Sequence, residues 1–345
     1  FVLATGVIYN IGYIEATLGN IVLAMYDTAG SLLDGNGALL NLKAGSGIDF
    51  FMRTTGTVGS PTKLLDVSAG GKVQVYDLSG DPGLVSSSIY LFVPAAEGSL
   101  TLEENTRIIN GATYHVETEN GDILGLRVEV IAGNLILDAH SNGSNPDITG
   151  AIRIDTLIVH YDALQDAATE ADKVLYSSAD LDAIGDIEIG SLTAEDNSVV
   201  SLTSTGGGLT SDTWSVDDSQ VTASVYGDIA IADLTAVNAS TVSMTSSNGG
   251  LTSTTWDVDD SQVTASVYGN ISIEAFEAAS GSTVSLTSSN GGLSSATWDV
   301  DDSQVTASVY GNIAIDALSA TNGSSVLLTS SNGGFSSLSW NISSS

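Results

Sequence analysis

The sequence predicts an all-β solenoid built of 21-residue coils, and three observations carry that reading. Val200, Val221, Val242, Val263, Val284, Val305 and Val326 recur at a fixed step of 21, each opening a run of alternating apolar and polar residues. Trp214, Trp256, Trp298 and Trp340 recur at a step of 42, and Asp257–Ile271 returns letter for letter as Asp299–Ile313. No unit contains the stretch of about 10–12 residues with a 3.6-residue period that a helix requires. A fixed period of about 20–50 residues marks a solenoid, a propeller or an array. Propeller blades also run to about 40–45 residues, but they would not show a sub-period of half that length.

Within one coil, Val284-Ser285-Leu286-Thr287 and Val305-Thr306-Ala307-Ser308-Val309 alternate apolar with small polar residues. That is the period-two pattern of a strand with one buried face. Ser289–Gly292 (Ser-Asn-Gly-Gly) and Tyr310–Asn312 (Tyr-Gly-Asn) follow as corners, where Gly and Asn are expected to supply positive φ. A second short strand, Ile313-Ala314-Ile315, comes next. At a uniform shift of 21, Asn248-Gly249 falls on Gly269-Asn270, so corner stacks on corner.

The same shift places Ala278, Ser280 and Gly281 beside Asp257, Asp259 and Asp260, and the acids return two coils on as Asp299, Asp301 and Asp302. With strands about 4.8 Å apart, like charges would sit roughly 9.6 Å apart, about one Debye length at physiological salt. Trp256 and Trp298 would alternate with Glu277 and Ser319. The 42-residue repeat therefore reads as a two-coil unit.

Composition bounds the rest. Among 345 residues there are 41 acids and 8 bases, a net charge of −33, with no cysteine, 4 prolines, 37 glycines and 42% apolar residues. That apolar content suffices for a core. No base follows Lys173, which argues against nucleic acid or an anionic membrane as partner, because both recruit Lys and Arg. No run of about 18 apolar residues suggests membrane insertion. The chain starts at Phe1 and ends in mid-repeat after Trp340, so a processed chain or a piece of a longer parent chain is expected.

Three sections follow in order. Residues 1–83 carry irregular coils, with phrases such as Gly19-Asn20-Ile21-Val22-Leu23, Asn41-Leu42-Lys43-Ala44-Gly45 and Gly71-Lys72-Val73-Gln74-Val75. Residues 84–175 are a less regular solenoid section with loop insertions. There Ser86–Val93 reads as a strand, Ser141–Asp147 as a surface loop, and Asp162–Lys173 as a short helix or a polar loop. Residues 176–345 are the regular 42-residue array, opened by Gly185-Asp186-Ile187-Glu188-Ile189.

The recurring Gly-[Asn/Asp]-Ile-x-Ile phrase, followed by Leu-x-Ala and Val-x-Leu-x-Ser, resembles the filamentous-haemagglutinin class of large bacterial exoproteins. It is clearest at Gly185–Val200, Gly227–Met244, Gly269–Leu286 and Gly311–Leu328. The resemblance implies a right-handed parallel β-helix exported to the cell surface, serving as adhesin, matrix protein or fibre. It brings no catalytic residue, and that family's secretion domain and N-terminal cap are not evident.

Four candidate sites stand beside simpler readings. Asp257, Asp259, Asp260, Asp299, Asp301 and Asp302 offer the oxygen ligands that Ca²⁺ prefers, but with neither EF-hand nor β-roll spacing; a solvated acidic face is the alternative. Ser201, Thr222, Ser243, Thr264, Ser285 and Thr306 should form one outward ladder, and Thr203, Ser224, Thr245, Ser266, Thr287 and Ser308 another. Such a hydroxyl grid could bind ice or polysaccharide, or simply solvate a strand. The four tryptophans, with Tyr226, Tyr268 and Tyr310, could grip surface glycans, although packing at a corner or a lateral contact fits them better. An enzyme is not expected: His115, His140 and His160 look isolated, and no nucleophile or metal-ligand spacing is evident.

The expectation is an extracellular structural protein whose partner is itself, assembling end to end or laterally into a cell-surface fibre or matrix. The alternative is an adhesin or carbohydrate-binding surface module that does not polymerise. About sixteen coils at about 4.8 Å each would span on the order of 80 Å, with the weak points at the ends.

Overall fold

The computed structural model describes residues 102, 105–109, 112–118, 121–140, 150–160 and 177–343 with their side chains, together with the backbone of thirteen strands between Val2 and Thr101. The expected loop at Ser141–Asp147 and the helix or loop at Asp162–Lys173 lie outside the described residues. Every described element is a strand and every strand pairing is parallel, so the chain is a β-solenoid. It divides into two compact units, Phe1–Asp186 and Ile187–Ser345.

In the first unit, Val2–Ala4, Ile21–Met25, Ile48–Met52 and Val73–Asp77 form one parallel sheet. Later, Ser88–Val93, Thr113–Thr118, Asn134–Ala139 and Ser178–Ala183 form a second. Thr113 lies opposite Asn134, a step of 21, whereas Asn134 lies opposite Ser178, a step of 44. Likewise Ile123 lies opposite Ile152, a step of 29. Coils here keep their strand register while the connections between strands lengthen, which is why the repeat is hard to see in the sequence.

Two polar anchors hold those lengthened coils. Asp122 is buried, and its carboxylate accepts hydrogen bonds from the Ala151 N–H (3.0 Å) and the Arg153 guanidinium (3.0 Å). A buried charge is tolerated only when paired and hydrogen-bonded in this way. Ser177, also buried, accepts from the Ala132 N–H (2.8 Å) and donates to the His160 carbonyl (2.6 Å).

The second unit is regular. Six-residue strands such as Gln220–Val225, Thr241–Ser246, Gln262–Val267 and Thr283–Ser288 stack at a uniform step of 21. Val200, Val221, Val242, Val263, Val284, Val305 and Val326 stand opposite one another in turn, and all but Val326 are at most 1% exposed. This is the predicted internal column.

The nine-residue strands behave differently. Leu251 pairs with Ile271, a step of 20, and Ile271 with Leu293, a step of 22. The cause is an alternation of corners. One coil joins Thr241–Ser246 to Leu251–Asp259 by four residues (Ser247–Gly250) and returns to Gln262 by two (Asp260, Ser261). The next coil uses three (Tyr268–Asn270) and three (Ser280–Ser282). Coil length stays at 21 while the long strands slip by one position, back and forth.

Each long strand also bends. Thr254 has no ladder partner between the pairs Ser253–Ile273 and Thr255–Ala275, and Thr254 and Thr255 both face outward, interrupting the alternation. A three-residue arm and a five-residue arm meet there, so each coil has three sides. The sequence reading found the short strand and the three-residue arm. The five-residue arm, Thr255–Asp259, went unread as a strand, its tryptophan being expected at a corner or a lateral contact.

Positive φ does not fall where the glycine-rich corners suggested. Among the described residues of the second unit it falls at the other corner: Asp260 (φ 45°) in the two-residue form, and Ser280 (φ 55°) with Gly281 (φ 83°) in the three-residue form. At Gly249 the demand is close approach instead, because a Cβ there would lie 2.3 Å from the carbonyl carbon of Gly227 on the preceding coil.

Candidate functional site

The slip of the long strands rearranges the predicted site residues. Trp256 stands opposite Phe276, and Phe276 opposite Trp298, not Glu277 and Ser319 as a uniform step of 21 would give. Ring centroids are 6.4 Å apart in the first pair and 5.0 Å in the second, within the range where tilted aromatic pairs attract. Trp214, Trp256 and Trp298 are about 1% exposed and point into the core from mid-strand rather than from a corner. Their indole nitrogens find no acceptor among the described residues. Only Trp340, on the last coil, is half-exposed (50%). The aromatics that do face outward are Tyr226, Tyr268 and Tyr310, at the three-residue corners.

The acids are also re-paired. Asp257 faces Glu277, which faces Asp299, so three carboxylates run over consecutive coils. The expected spacing of two coils between acids is therefore overturned at Asp257 and Asp299, because the ladder steps by 20 and 22 rather than 21, whereas Asp259 still has a neutral neighbour, Ala279, on the next coil. The Glu277 carboxyl is held above its ordinary range by desolvation among its neighbours, then by Asp257 and Asp299.

The six aspartates do not form cages. Asp257 and Asp299 face outward on the strand, while Asp260 and Asp302 sit at the corner with φ of 45° and 47°. Asp301 Oδ1 accepts from the Thr321 hydroxyl (2.6 Å) and from the Asn322 amide, and Asp217 Oδ1 accepts from the Asn238 amide (2.6 Å). Asn322 and Asn238 are matched by Ser280 beside Asp259, whose Oδ1 is buried with no partner among the described residues. Among the described residues, no three of these carboxylates bring ligand oxygens within 4.8 Å of one another.

Both predicted hydroxyl ladders have the expected register, Ser201 to Thr306 and Thr203 to Ser308, and are half-buried to exposed. A third ladder escaped the sequence reading. Ser198, Ser219, Ser240, Ser261, Ser282 and Ser303 are buried at the corner before each short strand. Each of their N–H groups donates to the hydroxyl of the next serine, the last to Ser324, at 3.0–3.4 Å. Its signal was present in the sequence as a serine recurring at the same step as the valines.

His115 and His160 are not isolated. His115 Nε2 lies 3.0 Å from Asp138 Oδ2 on the next coil, and His160 Nε2 lies 3.4 Å from Glu129. Glu117 stands opposite Asp138, and Asp138 opposite Asp182. The Asp182 carboxyl is held above its ordinary range by desolvation and by Asp138, against a lowering by His140. Sequence reasoning missed this group because its members are far apart along the chain and join only through coil register.

The last feature is the terminal coil. Phe335 stands on Ile313, Trp340 on Leu318 and Ile342 on Ala320. Those lower residues are 1%, 3% and 5% exposed, whereas Phe335, Trp340 and Ile342 are 52%, 50% and 69% exposed. The core column therefore surfaces here, beside strands hydrogen-bonded on one side only among the described residues. Compared with known proteins, the chain matches no family model, no curated protein and no solved structure.

Proposed function

We propose that this chain is a structural building block of an extracellular, cell-surface fibre or matrix, and that it self-associates through the end of its coil stack. The observation that carries the reading is the coil at residues 335–342. Phe335, Trp340 and Ile342 continue a column whose lower members are covered by copies of the same coil. A surface of this shape fits another coil, supplied by a second copy of the chain or by a longer parent chain. An unprotected parallel edge offers unpaired N–H and C=O groups to a second chain, and each apolar side chain reburied contributes about 1.5–3 kcal/mol. The repeat grammar resembling surface-exported exoproteins supports the extracellular assignment. The reading assigns no catalysis.

Sedimentation velocity and electron microscopy of the purified chain over a concentration series test the proposal. End-to-end oligomers that disappear in Trp340→Lys and Ile342→Lys are the expected result. Discrete monomers at every concentration would overturn it. A second reading, a glycan-binding surface module, is favoured only by the outward row of Tyr226, Tyr268 and Tyr310. It requires glycan-array binding that is lost on replacing those tyrosines, with Trp256 and Trp298 excluded as contacts by their burial.

A further inference from the structure

We propose that His115, Glu117 and Asp138 form a binding site for a divalent transition-metal ion of the zinc class, clamped across two adjacent coils of the first unit. Thr113–Thr118 alternates half-buried with buried residues, which puts His115 and Glu117 on its outer face two positions apart. The neighbouring strand Asn134–Ala139 is paired so that Asp138 stands opposite Glu117. One ligand atom from each residue lies within 4.8 Å of the other two.

The distances suit a metal. Two donors bound tetrahedrally to zinc, each at about 2.0–2.2 Å, lie roughly 3.4 Å apart. His115 Nε2 and Asp138 Oδ2 are already 3.0 Å apart, and rotation of the Glu117 side chain brings the third donor in. His115 would bind through the lone pair of Nε2 as the neutral imidazole, with the single ring proton carried on Nδ1. The fourth position falls to water or to Asp182, which stands opposite Asp138 on the following coil.

The donor set also selects the ion. One imidazole nitrogen with two carboxylates suits zinc and its neighbours, whereas calcium takes six to eight oxygens. The site differs from the acidic corners of the second unit, which are all-oxygen and divergent. It lies where the coils are lengthened, beside the step from Asn134 to Ser178, so the ion would staple coils that have the longest connections to hold.

Titration of the full chain with ZnCl₂, and with CoCl₂ as a spectroscopic probe, tests this. One equivalent of Co²⁺ should give intensified visible absorption that ZnCl₂ abolishes and the same concentration of CaCl₂ does not. His115→Ala, Asp138→Asn and the near-isosteric Glu117→Gln should each weaken binding by about tenfold or more, a loss that outer partners of a metal site can already produce. Asp257→Asn with Asp299→Asn should leave it unchanged, which separates the site from diffuse attraction to a chain of net charge −33. Binding that survives His115→Ala, yields to CaCl₂, or is absent altogether would overturn the proposal. Circular dichroism of Glu117→Gln, whose side chain lies outside the core, distinguishes lost binding from lost fold.

Discussion

Asp257 and Glu277 face each other across adjacent coils, at a ladder step of 20 where the short strands step by 21. Strands in a sheet lie about 4.8 Å apart, so two carboxylates share one outer face, and Asp299 adds a third on the next coil. Like charges placed directly opposite on neighbouring strands destabilise the sheet.

The Glu277 carboxyl is raised above its ordinary value by desolvation and by Asp257 and Asp299, which means the fold prefers it protonated. Its contribution to stability is therefore complete below about pH 4.5 and is lost as pH rises through the raised value. At pH 7 it remains a cost, small because solvent screens it, about 0.2–1 kcal/mol. Glu277→Gln should raise the melting temperature at pH 7 in low salt. The gain should shrink toward zero at pH 4, and in part at 1 M salt, where a Debye length of about 3 Å screens Asp257 and Asp299 but leaves the desolvation. A gain independent of both pH and salt would show that charge is not its source.

The buried serine ladder makes a second prediction. Ser261 Oγ is the acceptor for the Ser240 N–H, at 3.1 Å, and both residues are buried. Ser261→Ala would leave that donor without a partner, at a cost of about 1–3 kcal/mol. Ser266→Ala, on the exposed face of the same coil, should stay within about 0.5 kcal/mol of the parent. Amide exchange at Ser240 reads the difference directly: it should quicken in Ser261→Ala and not in Ser266→Ala.

Particular residues show how much of this was legible beforehand. The valine column and both outer hydroxyl ladders could be read because the short strands repeat at a fixed 21. The aromatic and acidic pairings could not, because a four-residue corner at Ser247–Gly250 alternates with a three-residue one at Tyr268–Asn270. Both spellings are plain in the sequence, yet their effect is a one-residue slip, and a slip of one exchanges Phe276 for Glu277 opposite Trp256. The His115 cluster was hidden for a related reason. Its members meet only through a register that the lengthened coils of the first unit conceal.

The glycines supply the last prediction, because two of them answer different demands. A Cβ on Gly291 would lie 2.4 Å from both the Gly269 carbonyl carbon and the Asn270 nitrogen, which are backbone atoms that cannot swing aside. Gly291→Ala must push two coils apart, so its cost should reach or exceed the upper end of the roughly 1–3 kcal/mol typical of overpacking. Gly281 has φ of 83°, but a Cβ there would meet nothing within 4 Å. At the matching corner position the chain already carries Ala239, at φ 64°. Gly281→Ala should therefore cost only the left-handed strain, about 1–2 kcal/mol, and Gly281→Asn less, since Asn tolerates that region better. Thermal unfolding of the three variants should rank Gly281→Asn above Gly281→Ala and both above Gly291→Ala. If Gly291→Ala were the mildest, the coils could not be stacked as closely at that corner as the Gly291–Gly269 approach requires.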